Sequence, residues 1–454
     1  MDKLQTTLRE PYSGYRATII PKPDAELTGV GPGTPGGEYL RRFWHPVAMA
    51  SQLTDLPLAL RVLGEDLVLF RDFGGRVGLL HRHCPHRGTS LEYGIVSDRG
   101  LRCCYHGWLF DIDGTILETP GEPAASKMKD NLCHGAYPVH EFKGLIFAYM
   151  GPPEARPEFP IYDIYNTPDN RMLPYSLHFP CNWLQIQDNG IDPIHTVFLH
   201  TLVKEVQLGA IWGEIPILQY FDEDDRVYYI SSRRVGDLVW VRSAETIFPN
   251  IQQTGALWWE SVEQEKYFSR VSLTRWNVPV DDGTTWLIGW RHFNDDVDPD
   301  HRGREEEIGY DSVDFVGQTG GRSYEERQRN PGDWDAQTGQ RQIAVHAMEH
   351  LGTTDRGVVM MRKHLRRAIR GEVDHEPLAP VGGEIPTYGH DTVIRAPQRP
   401  GTDDKEFLVE VGRRVLQAIK AGNAHPPAER KAVIETEMRK LSAEFSGRHV
   451  PASA

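Results

Sequence analysis

Short apolar runs broken by turn residues fill the stretch from residue 45 to 152, and helical periodicity becomes clear only near the end of the chain. Leu60-Arg61-Val62-Leu63 and Leu67-Val68-Leu69-Phe70 flank Gly64-Glu65-Asp66 and predict paired strands. Val77-Gly78-Leu79-Leu80, Leu109-Phe110-Asp111 and Ile146-Phe147-Ala148-Tyr149 continue the β pattern, with Asp113-Gly114 as a hairpin signal. Ahead of them residues 1–37 read as an extended arm. Thr34-Pro35 caps and starts a helix leading into Tyr39-Leu40-Arg41-Arg42-Phe43-Trp44. Gly151-Pro152-Pro153, followed by Pro157 and Pro160, marks a linker. Three segments result: an arm and helix over 1–44, a small all-β domain over 45–152, and a larger domain over 153–454.

In the larger segment, Val227–Ile230, Leu238–Val241, Phe268–Leu273 and Trp286–Trp290 read as strands, and the polar residues 295–335 as a long loop over the site. Phe407, Val411, Val415 and Ile419 recur every four residues and predict a helix, with another near 427–445. Strands followed by helices imply an α+β class built on an antiparallel sheet.

Composition narrows the function classes. Hydrophobic residues at 39% and charged residues at 25% describe an ordinary globular chain. The formal net charge of −14 argues against nucleic-acid binding, which needs a basic surface. Five cysteines do not suggest a disulfide framework. The polar start, Met1-Asp2-Lys3-Leu4-Gln5, and the lack of a long apolar run predict no signal peptide, no membrane span and a cytoplasmic address.

The chemistry begins at Cys84-Pro85-His86-Arg87-Gly88 and Cys103-Cys104-Tyr105-His106-Gly107-Trp108. Each loop offers one thiolate and one imidazole. Two Cys on one iron and two His on the other define a Rieske [2Fe–2S] centre, whose potential lies well above that of an all-Cys cluster. Zinc is the alternative, although its sites more often pair Cys-x2-Cys with His-x3-5-His. Cys103 keeps the two-residue spacing to His106, so Cys103 is the expected ligand and Cys104 the bystander.

About 90 residues further on, the stretch from Asn182 to His200 holds His195, His200 and several carboxylates. Two His and a carboxylate suit a facial triad for Fe(II) with open positions. Pro193 disfavours helical dihedrals at Asp192, so Asp192 reads as an N-cap, Pro193 as the first helical residue and His195 as the third. His200 then lies about 140° further round an ideal helix. A shared metal needs a bent helix or an ion at its edge. Taken alone, such a pair is more often two ordinary histidines.

Together these motifs resemble the terminal oxygenase components of Rieske non-haem iron oxygenases, with C-x-H-R-G, C-x-Y-H-G-W and N-W-x4-E/D-N-x2-D-x2-H-x4-H. Cys104 stands where many members carry proline, and Asp188 where many carry Glu. The resemblance implies His195 and His200 as iron ligands. It makes Asp192 the bridge to His106 of a neighbouring subunit, and Asp188 a residue of lesser, outer role. Asp333-Trp334-Asp335-Ala336-Gln337, ahead of Glu349-His350-Leu351-Gly352, looks like the phthalate-type segment carrying the third ligand. It selects Asp333, with Asp335 as alternate. Val278-Pro279-Val280-Asp281-Asp282-Gly283-Thr284 resembles the same group.

The implied fold is a small all-β Rieske domain plus a larger helix-grip catalytic domain. The implied equipment is a [2Fe–2S] cluster (Cys84, His86, Cys103, His106), a mononuclear Fe(II) (His195, His200, Asp333), O2, and electrons from NAD(P)H through a separate ferredoxin or reductase. A homotrimer is implied, the cluster of one subunit serving the iron of the next. The expected substrate is a small carboxylated aromatic compound of phthalate or lignin type. Ring hydroxylation and O-demethylation use the same iron site and stay undistinguished. Arg233, Arg234, Arg242, Arg270 and Arg275 are candidates to hold a carboxylate, most of them expected to be surface charge. The rival reading, a Rieske electron carrier without oxygenase activity, leaves everything after residue 150 unexplained.

Overall fold

A computed structural model describes residues 7–17, 19–201, 207–255, 262–373 and 380–447; the polar start Met1–Gln5 lies outside them. The first segment holds two short helices, α1 (Ala25–Thr28) and α2 (Pro35–Leu40). Thr34 caps α2 by accepting from the Gly37 N–H at 3.1 Å, with Pro35 in the first turn. The helix stops at Leu40, so Trp44 begins a strand instead of continuing the helix.

The β-rich segment contains β1 (Trp44–Met49), β2 (Leu58–Val62), β3 (Glu65–Arg71), β4 (Val77–His81), β5 (Ile95–Val96), β6 (Leu101–Arg102), β7 (Leu109–Phe110), β8 (Ile116–Glu118), β9 (Ala136–Tyr137), β10 (Val139–Phe142) and β11 (Leu145–Tyr149). They form antiparallel sheets in the orders β1-β11-β10, β2-β3-β4-β9 and β5-β6-β7-β8. The β2–β3 turn is Leu63-Gly64, both at positive φ, one residue earlier than the sequence suggests; Glu65 and Asp66 already pair as strand. Alternation along β3 divides its side chains between two cores. Val68 and Phe70 pack with Cys84, Cys103 and Trp108, while Leu67 and Leu69 join a core that includes Trp276, Ile288 and Trp290 of the larger segment.

The larger segment adds β12 (Arg171–Phe179), β13 (Ile217–Glu223), β14 (Arg226–Val235), β15 (Leu238–Ile247), β16 (Ile251–Thr254), β17 (Lys266–Ser269), β18 (Leu273–Asp281), β19 (Thr284–Phe293) and β20 (His390–Arg395). Their main path runs β12-β19-β18-β16-β15-β14-β13, with β20 pairing β15 and β17. The stretch Phe268–Leu273 is two strands, because the chain leaves β17 at Ser269 and re-enters the sheet at Leu273. The helices after α2 are α3 (Met128–Asn131), α4 (Trp183–Gly190), α5 (His195–Leu199), α6 (Tyr324–Arg329), α7 (Asp333–Thr338), α8 (Arg356–Ile369), α9 (Asp404–Asn423) and α10 (Pro427–Ser446). Phe407, Val411, Val415 and Ile419 of α9 are buried against Tyr228 and Ile230 of β14. The opposite face of the sheet, with Val227 and Tyr229, belongs to the core shared with α4 and α8. No helix among the described residues is long and apolar enough to cross a membrane.

Candidate active site and metal centres

The two cysteine loops are built alike. In the first, the Cys84 N–H donates to the Thr89 carbonyl and the Gly88 N–H to the Cys84 carbonyl, at 2.9 and 2.8 Å. In the second, Cys103 N–H donates to Trp108 O and Gly107 N–H to Cys103 O, at 2.8 and 3.0 Å. Gly88 and Gly107 close these turns at φ +77° and +75°, a conformation that costs a side-chain-bearing residue energy. The loops bring Cys84 and Cys103 together in the core, while the His86 and His106 rings lie 4.5 Å apart and partly exposed. Trp108 stacks on His86 at 4.8 Å. Burial, then the neighbouring Cys103, pushes the Cys84 thiol up to about 11, while the His86 and Arg87 amides point at its sulfur. Two buried sulfurs beside amide donors and two imidazoles suit a cationic cluster that keeps both thiolates ionised. Cys104 is exposed, leaving Cys103 as the inward thiol of that pair.

The second centre depends on a broken helix. Asn182 caps α4 by accepting from Leu184 N–H at 3.1 Å, and its amide donates to Thr28 O and Asp282 O, pinning the helix to the arm and to the β18–β19 turn. Gly190 ends α4, and Pro193 keeps the next helix from starting early. Asp192 accepts from the Ile194 N–H at 2.9 Å. The new helix begins at His195, two residues later than expected, with Ile194 in the capping position, and His200 stands at its C-terminal cap. A single turn between them brings the two rings to 5.2 Å, so the bend the spacing demanded is a helix only five residues long.

Asp333, in the first turn of α7, completes the group. Its Oδ1 lies 3.6 Å from His195 Nε2 and 3.5 Å from His200 Nε2. These three residues are the set among the described residues whose donor atoms converge as a metal would require. Both Nδ1 atoms are engaged elsewhere: that of His195 with the Asp192 carbonyl, that of His200 with Gln207 Oε1 at 2.7 Å. Both Nε2 atoms are thereby aimed at the common point. Asn189 and Gln318 donate to Asp333 at 3.2 and 2.6 Å. Burial works against the Asp333 charge, but His200, His195 and Gln318 outweigh it and hold the carboxyl far below its usual range. Burial lowers His195. At His200 burial acts the same way but Asp333 and Gln207 overcome it, raising the ring. Two imidazoles and one carboxylate fit Fe(II) with room for further ligands.

Asp335 serves another purpose. It accepts from Gly332 N–H at 2.9 Å and pairs with Arg322 at 2.5 Å, closing the start of α7. Asp188 ion-pairs with Arg362 of α8 at 2.6 Å, and Arg362 also meets Glu349. Asp192 is half-buried and lines both the metal-site cavity and an outer groove beside Leu199, Met348 and Leu351.

The cavity at this centre is walled by Tyr175, Leu177, Leu208, Tyr229, Leu273 and Phe315, with the guanidinium groups of Arg242, Arg275 and Arg291. The expectation that most of the five candidate arginines are surface charge does not hold. Arg233, Arg242 and Arg270 are buried, because the sheet is covered on both faces. Arg234 pairs with Asp404 and Arg270 with Asp163, away from the cavity. Arg242 is matched by Asp391 at 3.2 Å, and Arg291 by Asp314 at 2.8 Å. Arg275 bonds Gln252 at 3.0 Å and has no carboxylate partner among the described residues. Arg291, Gln207 and Gln318 escape sequence reasoning, since no local spacing ties them to the histidines.

A Rieske fold joined to a two-histidine, one-carboxylate pocket defines an oxygenase of two metal centres. Residues 43–137 match the Rieske [2Fe-2S] domain family. The chain is 43% identical to the tert-butanol monooxygenase / tert-amyl alcohol desaturase oxygenase subunit of Aquincola tertiaricarbonis, covering 95% of this chain and 96% of that one. It is 37% identical to the phenoxybenzoate dioxygenase subunit alpha of Ectopseudomonas oleovorans, over 81% and 90%. The solved structure of Pseudomonas putida CBB5 NdmA QL mutant with theobromine superposes with a TM-score of 0.55 at 22% identity, over 74% and 92%, and shows the same fold. The chain belongs to the Rieske non-haem iron oxygenases, as a terminal oxygenase subunit of the phthalate-type group.

Proposed function

We propose that this subunit takes electrons from NAD(P)H, through a separate ferredoxin or reductase in the cytoplasm, and uses O2 to hydroxylate or O-demethylate a small carboxylated aromatic compound. Cys84 and Cys103 hold one iron of the cluster and His86 and His106 the other. His195, His200 and Asp333 hold the mononuclear iron. Bound there, that iron supplies reductive activation of O2. The chain's own residues do the rest. Gln207 and the Asp192 carbonyl keep both imidazoles oriented, Asn189 and Gln318 hold the Asp333 carboxylate in place, and Tyr175, Leu177, Leu208 and Phe315 line the space for substrate.

Residues 45–152 act as the electron-delivering unit and 153–454 as the catalytic unit. In a homotrimer, Asp192 connects the His195 side of one site to His106 of the next subunit. Its place between cavity and outer groove supports that role. The observation that carries the substrate class is Arg275, a cavity guanidinium with no carboxylate partner among the described residues, suited to hold a substrate carboxylate through paired N–H donors. A panel of aromatic acids with a reductase and labelled O2 tests this. One labelled atom in the product means monooxygenation, two mean dihydroxylation, and released formaldehyde means demethylation. Turnover of no acid overturns the class.

A second reading has its own support. The cavity measures about 80 Å³, below the ~150 Å³ that holds benzene in an engineered apolar site, and the 43%-identical relative is named for tertiary alcohols. A branched alkanol substrate would be turned over equally well by the wild type and by Arg275→Gln. An aromatic acid would lose most of its turnover in that variant.

A further inference from the structure

One row of polar side chains is buried on the cavity side of the sheet and plays no part in holding either metal. Strands β15, β16 and β18 set Thr246, Gln252 and Arg275 in register across the sheet, facing α4. Arg275 Nε donates to Gln252 Oε1, and Gln252 Nε2 donates to Gln187 O, both at 3.0 Å. Asn277 Nδ2 donates to Gln187 Oε1 at 2.5 Å, and Asn250 Nδ2 to Asn277 O at 2.9 Å. Asn250 also meets His45 Nδ1 of β1 at 3.2 Å. Apart from Arg275, every side chain in this row is buried.

Along it, Thr246 Oγ1, Gln187 Nε2, Asn277 Oδ1 and Asn250 Oδ1 have no hydrogen-bond partner among the described residues. Buried polar atoms of this kind are ordinarily satisfied by ordered water. The inner end of the row forms the wall of the metal-site cavity. Gly190 lines that cavity, and a Cβ there would fall 1.9 Å from Gln252 Nε2, so only glycine lets the amide lie so close behind the wall. The outer end, Asn250, lines a separate cleft with Phe43, Trp44, Phe248 and Trp276.

We propose that Asn250, Asn277 and Gln187 hold a file of buried water that joins this cleft to the metal-site cavity and delivers the protons that oxygenation consumes. Inserting one atom of O2 into a C–H bond and reducing the other to water takes two electrons and two protons for each turnover. The electrons enter from the redox partner, and the protons come from bulk water at the cleft. The groove beside Asp192 is the face given above to the neighbouring subunit, so a route between the sheet and α4 stays open when that face is covered. Side-chain amides do not titrate, and hydrogen-bonded water between them carries the proton.

Crystals of the full protein, both iron-free and iron-loaded, test the file directly. Ordered water bridging Asn277 Oδ1 and Gln187 Nε2 is expected in both, and dry density there overturns the proposal. In the holoenzyme, Asn277→Leu and Gln187→Met should slow turnover about tenfold and enlarge the solvent isotope effect. Iron content and the resonance of the reduced cluster should match wild type. Asn277→Asp should restore the rate. It also serves as the control should Asn277→Leu fail to fold, since a proton-conducting side chain that leaves turnover slow overturns the role. Wild-type rates and isotope effects in both apolar variants do the same.

Discussion

In the proposed iron site, His200 can present Nε2 to the metal because Gln207 holds its Nδ1 at 2.7 Å. An imidazole free to rotate presents the wrong atom, and partners of this kind are worth about ten- to a hundredfold in metal affinity. Gln207→Leu is therefore expected to lower mononuclear iron by that factor, read as iron per chain after dialysis against a weak chelator. The cluster's two acid-labile sulfides per chain should stay in place. The adjacent cysteines make a sharper case. Cys103 is buried against Cys84 whereas Cys104 is exposed, so Cys103→Ser should abolish the red-brown cluster and Cys104→Ser should keep it, as seen in the visible spectrum. The four proposed cluster ligands are legible because each loop is short and carries its own turn glycine. His195 and His200 are legible only as a pair, Arg275 only as one of five candidate arginines, and Gln207 and Gln318 not at all. Those two reach the site by folding, and nothing near them in sequence marks the destination.

Among the elements, α8 shows what periodicity missed. Arg356–Ile369 is rich in basic residues that look solvated, yet Arg362 lies against Asp188 and Glu349, and His364 is buried. His364 stacks on Phe248 at 4.0 Å and meets Asp222 at 2.7 Å and Asp225 at 3.5 Å. Burial works against its charge, but the two carboxylates prevail and hold the ring up to about 9, against 6.5 when free. A pKa raised on folding stabilises fully below the unfolded value and fades as pH rises through the folded one. His364→Gln should thus cost on the order of 2 kcal/mol at pH 6, and the gap should close by about pH 10, measured as denaturation midpoints across that range. Helix α9 was legible, since its four-residue apolar spacing matches the face buried against β14. Ile419 is fully buried there, and Ile419→Ala should cost about 3 kcal/mol in chemical denaturation.

For the whole molecule, the division between the β-rich segment and the larger one is less complete than the proline-rich linker suggests. The Leu63 and Gly64 amides at the β2–β3 turn donate to Pro279 O and Val280 O of β18, at 2.9 and 2.8 Å. Leu67 and Leu69 share a core with Trp276 and Trp290. The cluster loops are carried on a platform fixed to the catalytic sheet, while their histidines face outward. That arrangement suits electron transfer to another copy of the chain. A His106→Ala variant and an Asp333→Ala variant, each inactive alone, should regain a substantial share of turnover when their subunits are exchanged. A mixture that stays inactive after exchange would assign the electron path to a single chain.

The amino-acid order by itself determined the cluster loops, the paired histidines and the amphipathic closing helices, because each is encoded by spacing within a few residues. Only the tertiary structure decided that Asp333 and not Asp335 meets the histidines, that Arg275 alone of the cavity arginines lacks an acidic partner among the described residues, and that a polar row crosses the sheet. Those outcomes rest on strand register and on where the first turn of α7 is seated beside His195 and His200. Both are set by packing between residues distant along the chain, and local patterning carries no record of them.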